Sequence, residues 1–311
     1  MTFMKGWWDI PRARLGYLRI VVALSAIWHL ERNLGVHASV AKSPPAMFRG
    51  IGVTQFMDGP IAPETFMGLT WLAIVLSAVV MLGWRTRVFA PLWAGLLLFV
   101  LTYRTSWVQI YHSDNLLALS AVALALAPAA GASVSLDARA GRNQDREDWE
   151  FAWPIVMICG VITITYMIAG AAKIANSEGV SWMMGTNLRD QIAYNALNKE
   201  LLGGRVDEAA RWAYDHPLLL KPGSVMAVLL EVGAPLLLLH RGAGKLWAVG
   251  VFGMHWGIYF LMSIAFPYPL YGWAFAAFFD LEKVGDRLAR AARWLAARVR
   301  SAWMPNPPPT G

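Results

Sequence analysis

Thr163-Ile-Thr-Tyr166-Met-Ile-Ala169-Gly170-Ala-Ala-Lys173-Ile174 closes an apolar run that begins at Phe151. As a helix rising 1.5 Å per residue, that run is long enough to cross the roughly 30 Å hydrocarbon core of a bilayer. At a 3.6-residue period, Thr163, Tyr166, Gly170 and Lys173 fall on one face. Gly170 opens a notch there, between a phenol and an amine. The reading of the whole fold turns on whether lipid surrounds this helix.

Composition answers in favour of lipid. The 311 residues are 57% hydrophobic and 15% charged, against roughly 25% charged for soluble domains. Mean hydropathy is +0.44, and the 16 Trp suit membrane interfaces. The expected fold is all-α: a polytopic membrane protein of about eight transmembrane helices, with interfacial amphipathic helices besides. Net charge is +7, but the basic residues sit in short loops and a tail between apolar spans. That pattern reads as cytoplasmic anchoring on anionic lipid and not as nucleic-acid binding. The single cysteine, Cys159, lies within an apolar run, which excludes disulfides and cysteine-ligated zinc or iron–sulfur centres. No small-residue cleavage site follows the first apolar run, so no cleavable signal peptide is expected.

Outward from the opening helix, apolar spans are expected at about 15–36, 66–84, 88–102, 116–130, 151–174, 218–240 and 245–265, with a short eighth ending near Phe279. A Pro/Gly-rich loop joins the first two. The stretch 176–217 reads as amphipathic segments lying over the outer face. Residues 1–281 form the transmembrane domain, and 282–311 form a basic amphipathic tail with a disordered end. Positive charge gathers in the segments around Lys5–Arg14, Arg85–Arg87, Arg139–Arg146 and Arg241–Lys245, and in the tail. This puts both termini in the cytoplasm, and His112, Lys173 and 176–217 towards the outer side. Membrane lipid is the expected surrounding partner.

Ionisable groups at membrane depth are costly and face a cavity or a partner. Glu231 sits in the middle of its span, as a protonated acid or paired with a base such as Arg19 (itself read as snorkelling). His255, with Tyr259 one turn on, is also mid-span. His112 and Asn115 share a face, with Asp114 beside them. His29 and His240 read as interfacial, and His37 and His216 as surface residues. A desolvated Lys173 amine is suited to act as a general base, with His112 or His255 sharing the proton. No His pair has i, i+4 spacing, so no metal is expected. Serine-hydrolase and phosphate-cradle motifs are absent.

Thr105-Ser-Trp107, then His112-Ser-Asp-Asn-Leu116, then Tyr166-Met-Ile-Ala-Gly-Ala-Ala-Lys173-Ile with Trp182 and Gly185 beyond, then Glu231 and Met254-His255, together resemble the HTTM family over roughly 13 to 280. That membrane domain is shared with vitamin K-dependent gamma-carboxylases. The resemblance implies that Lys173 is the base deprotonating a reduced quinone, a vitamin K hydroquinone-like cofactor, with His112 and His255 in the same chemistry. It also implies CO2 and O2 as co-substrates, and an apolar cavity walled by Trp107, Tyr166 and Tyr259, near Asn115 and Glu231. The expected activity is carboxylase- or epoxidase-like, in a bacterial inner membrane, on a peptide or protein substrate at the outer face. The alternative is a non-enzymatic membrane partner, a maturation or immunity factor for a secreted peptide.

Overall fold

The computed structural model describes residues 6–107, 112–175 and 179–303, without the side chains of residues 112, 113 and 300–303. Its helices, in chain order, are α1 (Arg12–Arg32), α2 (Leu34–Ala41), α3 (Pro63–Leu82), α4 (Thr86–Thr105), α5 (His112–Ala125), α6 (Leu136–Arg139), α7 (Asp148–Ala175), α8 (Gly179–Met184), α9 (Thr186–Leu201), α10 (Glu208–Asp215), α11 (Pro217–Val232), α12 (Arg241–Met262), α13 (Pro267–Leu270) and α14 (Leu281–Trp303). No strand occurs among the described residues.

Among the described residues, four helices are long and apolar enough to cross a membrane: α1, α3, α4 and α7. α1 is the central one, packing against α3, α5 and α7, while α3–α4 and α4–α5 are consecutive neighbours. Large apolar side chains on the outside of these helices, such as Trp71, Val75, Leu92 and Ile168, are exposed in the isolated chain. In water that would be an aggregation hazard; it is the expected surface of a bundle solvated by lipid.

The remaining apolar runs are less regular than their hydropathy suggests. α5 covers only part of the expected fourth span. The sixth breaks after α11 into a 3-10 stretch, Ala234–Leu239, because Pro235 has no N–H to continue the α-helical ladder. The eighth is not one helix: Pro267 and Pro269 confine α13 to four residues, and a 3-10 stretch Trp273–Phe278 follows. The chain nevertheless returns to the end from which α12 starts, because Asp280 meets both Arg14 and Arg241 there.

Arg19 does not snorkel. It is 1% exposed, and its guanidinium donates to the carbonyls of Ala130 at 2.5 Å and Val134 at 2.6 Å. It thereby satisfies carbonyls that the chain leaves unpaired as it turns from α5 towards α6. On the opposite side, α9 and α10 close a satellite core of Ile192, Ala210, Ala213 and Leu220, with Leu261 and Met262 of α12 packed against it.

Candidate functional site: two buried polar clusters

The helical face read from the sequence is present, but its notch is filled. A Cβ on Gly170 would lie 2.8 Å from Glu231 Cβ and 2.9 Å from Val232 N. Gly170 is therefore the place where α11 crosses α7 at close range. That crossing brings Lys173 onto Glu231, Nζ donating to Oε1 at 2.7 Å and Oε2 at 2.6 Å. The carboxylate is nearly buried at 8% exposure and the lysine side chain is 22% exposed. Glu231 is thus partnered by Lys173 and not by Arg19.

α8 covers the amine. The Trp182 ring centroid lies 5.3 Å from Lys173 Nζ, a cation–π distance, and the Trp182 carbonyl accepts from the Ser224 hydroxyl of α11. α8 can turn into α9 this close to α11 because Gly185 takes φ +82, and its Cβ position would fall 2.9 Å from Lys221 N.

Two turns below Lys173, the Tyr166 hydroxyl meets His255 Nε2 of α12 at 2.6 Å. Both residues are buried, and His255 Nδ1 has no hydrogen-bond partner among the described residues. Aromatic edges enclose the pair: Trp247 at 5.4 Å and Phe275 at 6.3 Å from the tyrosine ring, and Phe266 at 5.4 Å from the imidazole. Trp247 also donates Nε1 to the Leu230 carbonyl at 2.8 Å, which joins this pair to the α11 segment carrying Glu231. Lys173, Glu231, Tyr166 and His255 therefore form one neighbourhood on three helices.

The other expected site residues are placed elsewhere. Trp107 is buried against Phe48 and Tyr103. Asn115 is exposed. Tyr259 is 40% exposed, its ring against Trp256 and Phe260. His112 opens α5, and its side chain lies outside the described residues. No group of three metal-ligating side chains occurs among the described residues.

A second cluster escapes sequence reasoning. His29 of α1, Arg104 of α4 and Asp114 of α5 are each at most 5% exposed. Asp114 Oδ1 lies 3.1 Å from His29 Nε2 and Oδ2 lies 3.3 Å from Arg104 Nη1. His29 is therefore not interfacial. His37, read as a surface residue, is fully buried beside Thr70 and the Phe66 ring. The available signal was a pair of opposite charges flanking one turn between apolar spans, Arg104 and Asp114.

These features define an all-helical integral membrane protein with buried ionisable pairs between its helices. A family model, HTTM domain, matches residues 8–268. The chain belongs to the HTTM-domain family, a membrane domain related to that of the gamma-carboxylases. No curated protein and no solved structure matches it.

Proposed function

We propose that this protein is a membrane enzyme acting on a reduced quinone-type cofactor, with Lys173 as general base. The observation that carries this reading is the Lys173–Glu231 contact at 2.6–2.7 Å. An amine that takes up a proton becomes an ammonium, and in a low-dielectric setting it needs a counter-ion already in place. Glu231 is that counter-ion. The residues fit such a cofactor in kind: His255 Nδ1 is buried without a partner, aromatic rings surround it, and Lys173 is partly open beside Trp182. When bound, the hydroquinone supplies an acidic hydroxyl and reducing electrons. Starting from the neutral amine, whose two N–H groups can both reach Glu231, Lys173 would take the proton at Nζ, Glu231 would balance the ammonium so formed, and Tyr166 would hold the His255 ring in a fixed orientation. His112 shares the proton, with O2 and CO2 as co-substrates.

The same reading has eight crossings, with both termini in the cytoplasm of a bacterial inner membrane. It is supported by the gathering of Arg14, Arg241 and Lys245 around Asp280, and of Arg85, Arg87 and Arg142 around one hollow.

The test is oxidation of a reduced quinone by purified protein in lipid. Lys173→Ala is expected to lower the rate by 10²-fold or more, in the range of a lost general base. Equal rates for wild type and variant would end the enzyme reading. One feature favours a non-enzymatic alternative, a partner for a secreted peptide. α9 and α10 flank a cavity of about 460 Å³ lined by Ile192, Ala196, Val206 and Tyr214, with Leu197, Leu201 and Trp212 exposed nearby. If Trp212→Ala abolishes function in cells while Lys173→Ala does not, that alternative replaces the first.

A further inference from the structure

The end of the bundle where α1, α12 and α14 meet carries more positive charge than its own carboxylates can offset. Asp280 is in ion-pair contact with Arg14 at 2.7 Å, Lys245 at 2.7 Å, Lys283 at 3.1 Å, and Arg241. Glu282 takes a second, two-pronged contact from Arg14, at 2.7 and 2.5 Å. Arg14 is 3% exposed, and its Nη1 has no hydrogen-bond partner among the described residues. Tyr17 donates to Asp286 at 3.1 Å. These contacts fix the first turn of α14 to α1.

Beyond that turn, α14 leaves the bundle, and its side chains are exposed as far as Val299. Val284, Leu288, Leu295 and Val299 recur at helical spacing on one stripe, all more than half exposed. Arg287, Arg290 and Arg293 occupy the flank and the opposite face. Seven cations of this region (Arg14, Arg241, Lys245, Lys283, Arg287, Arg290 and Arg293) face three carboxylates, Asp280, Glu282 and Asp286. Beside Lys245 and one turn on from it, Leu246 and Val249 of α12 are exposed.

From this arrangement we infer that α14 and the Asp280 junction form a binding site for anionic phosphodiester lipids. The headgroup sits among Lys245, Lys283 and Arg287, and the acyl chains lie along Leu246, Val249 and the α14 stripe. A neutral bilayer would cover the stripe but leave the excess cations without counter-ions. An anionic leaflet satisfies both requirements. The junction sets where α14 meets the surface, so the helix is a fixed element of the bundle and not a tethered tail. None of this depends on the quinol chemistry.

The test uses the full chain in nanodiscs of phosphatidylcholine alone or mixed with phosphatidylglycerol. A spin label is placed at Leu295→Cys; the native Cys159 is buried and stays unlabelled. In the mixed discs the label is expected to be reached by dissolved oxygen and shielded from a water-soluble nickel chelate. Mass spectrometry of retained lipid is expected to show phosphatidylglycerol enriched over its bulk fraction. The triple variant Arg287→Gln/Arg290→Gln/Arg293→Gln changes exposed side chains, so folding is preserved. It is expected to lose about fivefold or more of that enrichment, equivalent to roughly 1 kcal/mol, since Arg287 is the one of the three placed at the headgroup. Equal enrichment in wild type and variant would overturn the inference, as would a label equally open to nickel in both lipid mixtures.

Discussion

Gly170 shows how much one residue's reading depends on what lies opposite. In the sequence it is a gap on a polar face; in the fold the gap holds the backbone and Cβ of α11. Gly170→Ala therefore forces the two helices apart, at about 1–3 kcal/mol by the usual scale for overpacking, and lengthens the Lys173–Glu231 contact. Thermal unfolding in detergent measures the first effect. Glu231→Gln leaves Lys173 without its counter-ion. Because the lysine is partly exposed, the expected loss is about 2 kcal/mol, below the 3–5 kcal/mol of a fully buried pair. The swap Lys173→Glu/Glu231→Lys should recover much of that stability without recovering quinol oxidation. Asp114→Ala is expected to cost about 3–5 kcal/mol, since it removes the one carboxylate that both Arg104 Nη1 and His29 Nε2 contact in a buried site. Asp114→Ala should lose function only in proportion to stability, whereas Lys173→Ala, at a smaller stability cost of about 2 kcal/mol, should abolish quinol oxidation in protein that is still folded, which separates a structural cluster from a chemical one.

At the scale of elements, α9 and α10 are held to α12 by a small polar latch. Lys199 of α9 donates to Asp207 at 2.8 Å and to Ser263 at 3.0 Å, and Ser263 donates to Asp207 at 2.9 Å. Ser263 ends α12 at φ 56, ψ 22, a left-handed conformation that costs a non-glycine residue some strain. Hydrogen bonds from Lys199 and Ser263, with the Lys199 charge, hold the Asp207 carboxyl below the ordinary aspartate value. A depressed pKa means the latch is intact above the unfolded aspartate range and is lost as pH falls through the lower folded value. Amide protection in α9 and α10, taken relative to the intrinsic exchange rate at each pH, should therefore fall below about pH 4, and Asp207→Asn should show that lower protection already at neutral pH. Wild-type protection that does not change with pH would show that the apolar contacts with Leu261 and Met262 hold these helices alone.

Across the whole molecule, acidic pH should weaken the basic end of the bundle. Partial burial would raise the Asp280 carboxyl, but hydrogen bonds from Lys245 and Lys283 and the nearby Arg14 charge outweigh it and hold it low. At Asp137 burial likewise raises the carboxyl, and hydrogen bonds from Thr86, Arg142 and Arg85 outweigh it and hold it low. Both carboxyls are depressed, so their stabilisation is present above the unfolded aspartate range of about 3.9 and fades below it. The melting temperature is expected to be flat from pH 7 to 5 and to drop from pH 4 to 3. Asp280→Asn, by removing one of these groups, should shrink that drop.

How much was legible follows from the range of the interactions involved. Hydropathy and charge bias act along the chain, so the membrane class and the all-helical fold could be read directly, and the face shared by Tyr166, Gly170 and Lys173 follows from the helical period. Irregular spans were harder to read, because Pro235, Pro267 and Pro269 interrupt helices without lowering hydropathy. The pairings were not legible at all. Glu231 finds Lys173 across 58 positions and His255 finds Tyr166 across 89, and a buried charge looks the same in sequence whatever its partner. The sequence alone determined that this protein lives in lipid and which residues are expensive to bury there. Only the tertiary structure decided how each cost is offset, because in a medium without water every buried charge must find its partner on another helix.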